Sequence, residues 1–325
     1  MNKDLSPRFF VSLDHSGSPI LIIRLLKNPM PSAIREISHP LPSCAEVVII
    51  GGGIIGVSIA YYLAKKGVEQ VLLLERGMMG EGSTGRCAGG IRTQFSTRIN
   101  MEFSMLSLKV FNGFQQEFGV DPEFHPTGYL FMAGDQSQMD ILRANARLIR
   151  SMDLRVELLE PDEIRNRWPF LRVNDLSGGS FTESDGYAGP YEVLQGFARG
   201  ARGLGAVLRE GVEVTGIQSE KGRIRAVETA TGERIATPVV VNAAGPYAAG
   251  VAAMLNLELP VLPLRRQIFF TDTFDELPPV FPLMIDMEYG WYMRREGRGL
   301  LLSGPQDCGP RNAPSTGLLS WNARV

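Results

Sequence analysis

Val47-Val48-Ile49-Ile50-Gly51-Gly52-Gly53-Ile54-Ile55-Gly56 is the stretch that decides the fold. Four β-branched residues in a row read as a strand buried on both faces, the habit of a parallel sheet. Ile54 to Lys66 then reads as a helix closed by Gly67, and Gln70 to Leu74 as a second buried strand. Together they make one βαβ unit with a glycine turn at its first corner. Gly51, Gly53 and Gly56 carry the G-x-G-x-x-G spacing. The first permits the tight turn, the second lets main chain approach a diphosphate, and the third packs helix on strand. The amides that open the helix, at Ile54 and Ile55, bring donors and partial positive charge to the same place. Glu75 ends the second strand, where a carboxylate can accept from both hydroxyls of an adenosine ribose, and Arg76 flanks the adenine side. The constellation points to dinucleotide binding. It leaves NAD and FAD both open, while the acid at Glu75 disfavours the 2′-phosphate of NADP.

Composition sets the surroundings. At 325 residues with 44% apolar content the chain can bury a substantial core over about two domains. Thirty-three Lys and Arg against thirty-five Asp and Glu leave a net charge of −2, so nothing argues for nucleic acid or an anionic membrane as partner. Cys44, Cys87 and Cys308 lie far apart, which excludes a disulfide framework and a recognisable metal site; a reducing, cytoplasmic setting is expected. The longest early apolar run, Ile20 to Leu26, is broken by Arg24 and is far short of a membrane span. Residues 1–45 are rich in proline and read as a poorly ordered leader.

Farther along, Met101 to Phe118 and Gln136 to Met152 carry helical periodicity. Gly211 to Gln218, Ile224 to Thr229 and Pro238 to Asn242 read as strands, the last running into Ala243-Ala244-Gly245.

The segment Gly80-Glu81-Gly82-Ser83-Thr84-Gly85-Arg86-Cys87-Ala88-Gly89-Gly90-Ile91-Arg92 resembles the FAD-dependent D-amino-acid oxidase superfamily, in its sarcosine oxidase, dimethylglycine dehydrogenase and amino-acid dehydrogenase branch. The resemblance runs over residues 46–304 and implies FAD, held noncovalently because no histidine stands in the loop where some relatives attach it. It implies that Gly51, Gly53, Gly56 and Glu75 hold the ADP half, and that Ser83, Thr84, Ala88, Gly89, Gly90 and Ile91 run beside the ribityl chain and flavin. Val214, in Gly211-Val212-Glu213-Val214, would meet adenine through its main chain, and Ala244 and Gly245 would lie close to the cofactor. Small residues suit a backbone lying against a flat ring, and hydroxyls can donate to phosphate or ribityl oxygens.

The expected architecture is α/β: a Rossmann-like FAD-binding domain (46–100 and 183–259) with an inserted α+β substrate domain (101–182 and 260–304), followed by an irregular tail, 305–325. Relatives continue with a strand-helix return that Pro305 to Val325 does not show, so the chain is expected to be shortened at its C-terminus, with one wall of the ring pocket missing or supplied by a partner subunit.

The implied activity is oxidation of the C–N bond of a secondary amine or amino acid, acting on CH–NH or CH–NH2 donors by hydride transfer to the flavin, with electrons passed to an acceptor the sequence does not name. Arg92 is the first candidate for work at the ring or on a substrate carboxylate; its alternative is a salt bridge fixing the loop. Tyr292 and Arg294 alternate onto one strand face and are candidates for substrate capture, Arg265 and Arg266 less so, each alternatively structural. His125 reads as structural, and His15 and His39 fall in the leader. Two other readings stay open: a noncatalytic or partner-dependent flavoprotein, and an NAD-dependent dehydrogenase.

Overall fold

The computed structural model describes residues 40–264 and 266–304, and the backbone course of 10–13 and 19–22. The chain divides into two units, Met1–Pro40 and Leu41–Val325. In the first, β1 (Phe10–Leu13) and β2 (Pro19–Ile22) pair as an antiparallel hairpin. The second unit begins before the expected boundary at 45. Ala45 is buried and donates its N–H to Ala236 O at 2.9 Å, while Ala236 N–H reaches Ser43 O at 2.9 Å. Residues 41–45 therefore belong to the folded unit, because they pair with its sheet. Cys308 and the tail 305–325 lie outside the described residues, as do His15, His39 and Arg265.

From there the chain forms β3 (Val47–Ile50), α1 (Ile54–Lys65) and β4 (Val71–Leu74), and both strands are buried throughout. It crosses β5 (Gly90–Ile91) into α2 (Arg98–Phe118), β6 (Tyr129–Ala133), α3 (Gln136–Arg150), β7 (Glu157–Leu159), α4 (Pro161–Arg167) and β8 (Gly178–Thr182). It returns through β9 (Gly186–Tyr187) to α5 (Pro190–Gly203) and β10 (Val207–Arg209), and then makes the meander β11 (Val214–Glu220), β12 (Arg223–Thr229) and β13 (Arg234–Ala236). Next come β14 (Val239–Asn242) and α6 (Ala248–Ala253), and finally β15 (Phe269–Phe270), β16 (Leu283–Asp286), β17 (Tyr292–Glu296) and β18 (Gly299–Ser303).

Two sheets matter for function. The parallel sheet has the order β10-β4-β3-β14. Order reverses beside β3, since β4 and β10 lie to one side and β14 to the other, so a crevice opens between the carboxyl ends of β3 and β14. The mixed sheet has the order β15-β18-β17-β16-β6-β8-β7, in which β16 joins β6 in parallel and all other pairs are antiparallel. It takes strands from both sides of the parallel-sheet segments, so two stretches distant in sequence form one surface.

Helices α1 and α5 cover one face of the parallel sheet. Tyr61 of α1, Phe114 and Phe118 of α2 and Phe197 of α5 lock together there, with Tyr61–Phe118 centroids at 4.9 Å and Phe118–Phe197 at 4.8 Å. Helix α2 thus reaches out of the expected insertion into the core of the other layer. Gly196 permits this contact, since a Cβ there would stand 2.2 Å from Phe114 Cε1. Gly113, by contrast, faces open space within α2.

Gly196→Ala is accordingly expected to destabilise the chain by about 1–3 kcal/mol through overpacking, and Gly113→Ala to stabilise it by up to ~1 kcal/mol through helix propensity. Chemical denaturation of the two variants checks the opposite signs; equal effects would place the α2–α5 contact elsewhere.

Candidate functional site

The crevice between β3 and β14 is built on close backbone approach. Gly51 has φ +115°, and a Cβ there would lie 2.4 Å from Ala243 O at the end of β14. Its N–H reaches Leu74 O at 2.9 Å, and Ala243 N–H reaches Ile50 O at 2.9 Å, so three strand ends are tied at one corner. A Cβ on Gly56 would meet Gly51 O at 1.9 Å, which seats α1 against the turn. Gly53 differs. Its φ of −77° suits any residue, and the only atom near its Cβ position is Thr84 Oγ1 at 3.3 Å. The protein's own packing explains Gly51 and Gly56 and leaves Gly53 as clearance for something else. Gly53 gives α1 no side-chain cap; Ile54 N–H donates instead to Thr84 Oγ1 at 3.0 Å. Ile55 is exposed on the first turn of α1.

Glu75 sits where the sequence places it, at the end of β4. Its Oε2 accepts from Gly52 N–H at 2.6 Å and its Oε1 from Gly77 N–H at 2.8 Å. A carboxylate has about four acceptor positions, so the two amides orient it and leave capacity for two hydroxyls. Arg76 does not stand free beside it: its guanidinium lies 4.0 Å from the Tyr247 ring centroid, joining the ends of the two strands that flank β3. Val214 buries its side chain in the core beneath the parallel sheet. Two residues earlier, Val212 N–H donates to Glu75 O at 2.9 Å, and Gly211 N–H to Gly77 O at 3.1 Å, so this segment closes the Glu75 end through main chain. Ala244 N–H donates to Asn242 Oδ1 at 3.3 Å, and Gly245, at φ +54°, faces open space.

The loop after β4 folds back on the turn through Gly80 N–H to Gly52 O at 3.0 Å. Ser83 is exposed and its carbonyl accepts from Arg86 N–H at 3.3 Å. Gly89 (φ +66°) packs against Ala188 O, and Gly90–Ile91 pairs with Gly186–Tyr187. This carries Ala88, Gly89, Gly90 and Ile91 across to the mixed sheet, where a Cβ on Gly90 would stand 3.2 Å from the Tyr129 hydroxyl. Burial pushes the pKa of Tyr129 up to about 12, so its phenol stays protonated.

Arg92 follows at once. Its guanidinium lies over three rings, 4.6 Å from the Phe95 centroid, 5.2 Å from Phe131 and 5.9 Å from Tyr129. Among the described residues it has no hydrogen-bond acceptor and no carboxylate within ion-pair range, so the alternative of a loop-fixing salt bridge is not what these residues show. Phe131 is opposite Ser180 on one side and Ile285 on the other, and Ile285 is opposite Tyr292. Directly opposed residues share a face. Tyr292, half-buried, therefore lies on the same surface as Phe131 and Arg92.

Arg294 shares the face of Tyr292, as alternation predicts, and its guanidinium is engaged on one side. Nε donates to Ala88 O at 2.6 Å, Nη1 to Arg295 O at 2.6 Å, Glu296 pairs with Nη1 at 2.5 Å, and the Tyr187 ring lies 4.4 Å away. Arg294 ties the mixed sheet to the small-residue loop through Nε and Nη1. Arg266 is exposed. His125 is structural, exchanging main-chain hydrogen bonds with Tyr187 at 2.8 and 3.2 Å.

Sequence reasoning missed Asp185. Fully buried, it accepts Thr93 N–H at 2.9 Å and Thr93 Oγ1–H at 2.8 Å, and so fixes the residue next to Arg92. Gln94 completes the support: its Nε2 donates to Tyr129 O at 2.9 Å and its Oε1 accepts Ser180 Oγ at 2.6 Å. An acid before Gly186 reads as a turn residue, and no spacing rule links it to Thr93.

The close backbone approach at the glycine turn, the helix start that takes no cap from Gly53 and the carboxylate of Glu75 fit an adenine dinucleotide. The small-residue loop leading to an aromatic-lined face fits a flat ring beyond it. The family model "DAO: FAD dependent oxidoreductase" matches residues 46–323. Human mitochondrial dimethylglycine dehydrogenase is 34% identical over 267 residues, which cover 81% of this chain and 30% of that protein. The chain thus spans about a third of the length of such curated relatives. Among solved structures, the L-proline dehydrogenase of P. horikoshii is 33% identical with a TM-score of 0.75, over 82% of this chain and 70% of that one. The glycine oxidase of Geobacillus kaustophilus is 25% identical with a TM-score of 0.71, over 81% and 71%.

Burial pushes the Asp185 carboxyl up to about 6, against the Thr93 and Gln94 hydrogen bonds and the Arg92 charge, which lower it. Its folded pKa exceeds the unfolded value, so between about 4 and 6 the native state holds a proton that the unfolded state has lost, and stability falls as pH rises through that window. Asp185→Asn removes this dependence. Relative to the variant, the wild-type chain is expected to lose on the order of 2 kcal/mol between pH 4 and pH 7; parallel pH–stability curves for the two proteins would refute the burial argument.

Proposed function

The chain belongs to the DAO family of FAD dependent oxidoreductases, and on that premise we propose that it oxidises the C–N bond of a secondary amine or amino acid that carries a carboxylate. FAD, when bound, supplies the two-electron acceptor for the hydride leaving the carbon next to nitrogen. Gly51, Gly53, Gly56 and the first amides of α1 would hold its diphosphate, Glu75 its ribose, and the loop from Ser83 to Ile91 its flavin half, without a covalent bond.

The observation that carries the reading is the half-buried Arg92 guanidinium, resting on aromatic faces and lacking an anionic partner among the described residues. A cation withdrawn from water is costly unless paired, and a planar carboxylate accepts two parallel N–H bonds from it. Arg92 would fix the substrate's carboxylate, and Tyr292 and the protonated Tyr129 would offer hydroxyls on the same face. The main-chain anchor at Thr93 keeps the guanidinium from following its ligand out. No side-chain base is needed if the amine binds with its lone pair free, since water then hydrolyses the resulting imine away from the site.

The electron acceptor, a partner subunit and the cytoplasmic compartment belong to the same proposal. Cell fractionation tests the last, the human relative being named mitochondrial.

Two experiments test the reading. With FAD added, anaerobic mixing with N-methyl amino acids and with D- and L-amino acids should bleach the visible flavin absorbance for at least one substrate. Arg92→Ala should then raise KM by roughly 100-fold or more while changing kcat less, as expected for loss of a charge-assisted pair. A folded yellow protein that no amine or amino acid reduces would favour a noncatalytic flavoprotein. Separately, Gly53→Ala should leave the fold intact, because the one atom near that position is the Thr84 hydroxyl at 3.3 Å, a side-chain end that needs to give by only a few tenths of an ångström, yet weaken FAD on the order of 100-fold, equivalent to ~2.7 kcal/mol. Undiminished FAD affinity would move the diphosphate away from this turn.

A further inference from the structure

Between α3 and the face that carries Phe131 lies a cavity of ≈ 230 Å³. Phe95, Phe131, Leu142 and Ile149 form its walls, Ile141 and Asn145 line it from α3, and Arg92 also borders it. Ile141 is 51% exposed, which places the opening to solvent on its side. Of the polar groups in the wall, the Ser180 hydroxyl donates to Gln94 Oε1 and Gln94 Nε2 donates to Tyr129 O, while Ser96 and Asn145 also line it. Arg92 alone brings a charge without a partner among the described residues. Chemically the cavity has mainly apolar walls, polar spots at Ser96 and Asn145, and one cation at its edge, and is complementary to a small anion with a hydrocarbon substituent. Its volume lies below the ~300 Å³ at which pockets for drug-sized ligands begin, and so suits a molecule of amino-acid size. The larger cavity of ≈ 430 Å³, between α2 and the segment around Phe124, shares no lining residue with it and has no basic side chain.

We propose that the cavity beneath α3 receives the apolar side chain of the substrate whose carboxylate Arg92 holds, so that the substrate class is α-amino acids with a side chain of several carbons rather than unsubstituted N-methylglycines. The proposal rests on the carboxylate reading of Arg92 and adds to it a direction and a size. With the carboxylate anchored at the edge, the substituent has one apolar recess to enter, and each methylene that leaves water there adds affinity. Asn145 lines the cavity from α3, where a larger residue would occupy the recess.

The test is equilibrium binding of straight and branched carboxylic acids to the full chain loaded with FAD, read by ligand-observed NMR and so independent of turnover. Acetate, propionate, butyrate and 4-methylpentanoate form the series. For the wild-type chain, Kd is expected to fall about fourfold per added carbon, equivalent to ~0.8 kcal/mol. In Asn145→Phe the acetate Kd should be unchanged and the gain along the series lost. Asn145→Leu fills less of the space and carries the same expectation in weaker form, should the phenylalanine variant not fold. In Arg92→Ala every member should bind more weakly. Binding that depends on Arg92 but not on chain length, or a series unaltered by filling at Asn145, overturns the cavity proposal and leaves the carboxylate reading standing. Acids that bind Arg92→Ala as well as wild type overturn both.

Discussion

Everything in this molecule depends on how closely the Gly51 turn, the start of α1 and the end of β14 are pressed together. A single methyl group at Gly56 would stand 1.9 Å from Gly51 O, and one at Gly51 2.4 Å from Ala243 O. Interiors at crystal-like density have no slack to absorb such overlaps. The contact therefore sets where the amides of α1 point, and it does so at the one place where the order of the parallel sheet reverses. Binding function follows from that packing: the helix start, the strand-end acid and the clearance at Gly53 converge because three strand ends are tied at one corner. Gly51 and Gly56 are needed by the fold itself, whereas the protein's own contacts at Gly53 are limited to the Thr84 hydroxyl.

The second constraint is the attachment of the mixed sheet to the loop that leaves this corner. Ala88 is held by Arg294, Gly89 by Ala188, Gly90 and Ile91 by Gly186 and Tyr187, and Thr93 by Asp185. Five anchored residues out of six leave the loop little freedom, so the surface bearing Phe131 and Tyr292 keeps a fixed relation to the small-residue run. Preorganisation of this kind suits a redox cofactor site, since small displacements of reacting atoms are expensive. The anchors also explain how a loop rich in glycine is held in place: its order comes from partners on and beside β9 and on β17.

How much of this could be read in the sequence depended on distance along the chain. Strand, glycine turn, helix and Glu75 are contiguous, and each residue's role follows from local backbone geometry, so the parallel βαβ unit was legible. Arg92 was legible because it directly follows the small-residue loop. Asp185 was hidden because its partner Thr93 is ninety-two residues away. Arg294 was half legible: alternation gives its face, but whether its guanidinium is free depends on the Ala88 carbonyl, two hundred and six residues earlier. The row from Ser180 through Phe131 to Tyr292 needs the parallel joining of β16 to β6, a topological fact that no periodicity carries. The early boundary went astray for the same reason, since residues 43–45 are recruited by β13 rather than by their neighbours.

The charges around the face are distributed so that, among the described residues, Arg92 has no ion-pair partner. Glu296 serves Arg294 at 2.5 Å. Asp185 is hydrogen-bonded to Thr93, the residue after Arg92, but both its oxygens are engaged by Thr93 and its carboxyl is shielded from solvent. A carboxylate placed directly against Arg92 would have stabilised the apoprotein and cancelled the field that a ligand needs. Aromatic faces instead offset part of the cost of withdrawing the guanidinium from water, by about 0.5–2 kcal/mol, without supplying an opposite charge. The remaining deficit can be met by a ligand's carboxylate, and that is why the unpaired state of Arg92 says more about function than its position alone.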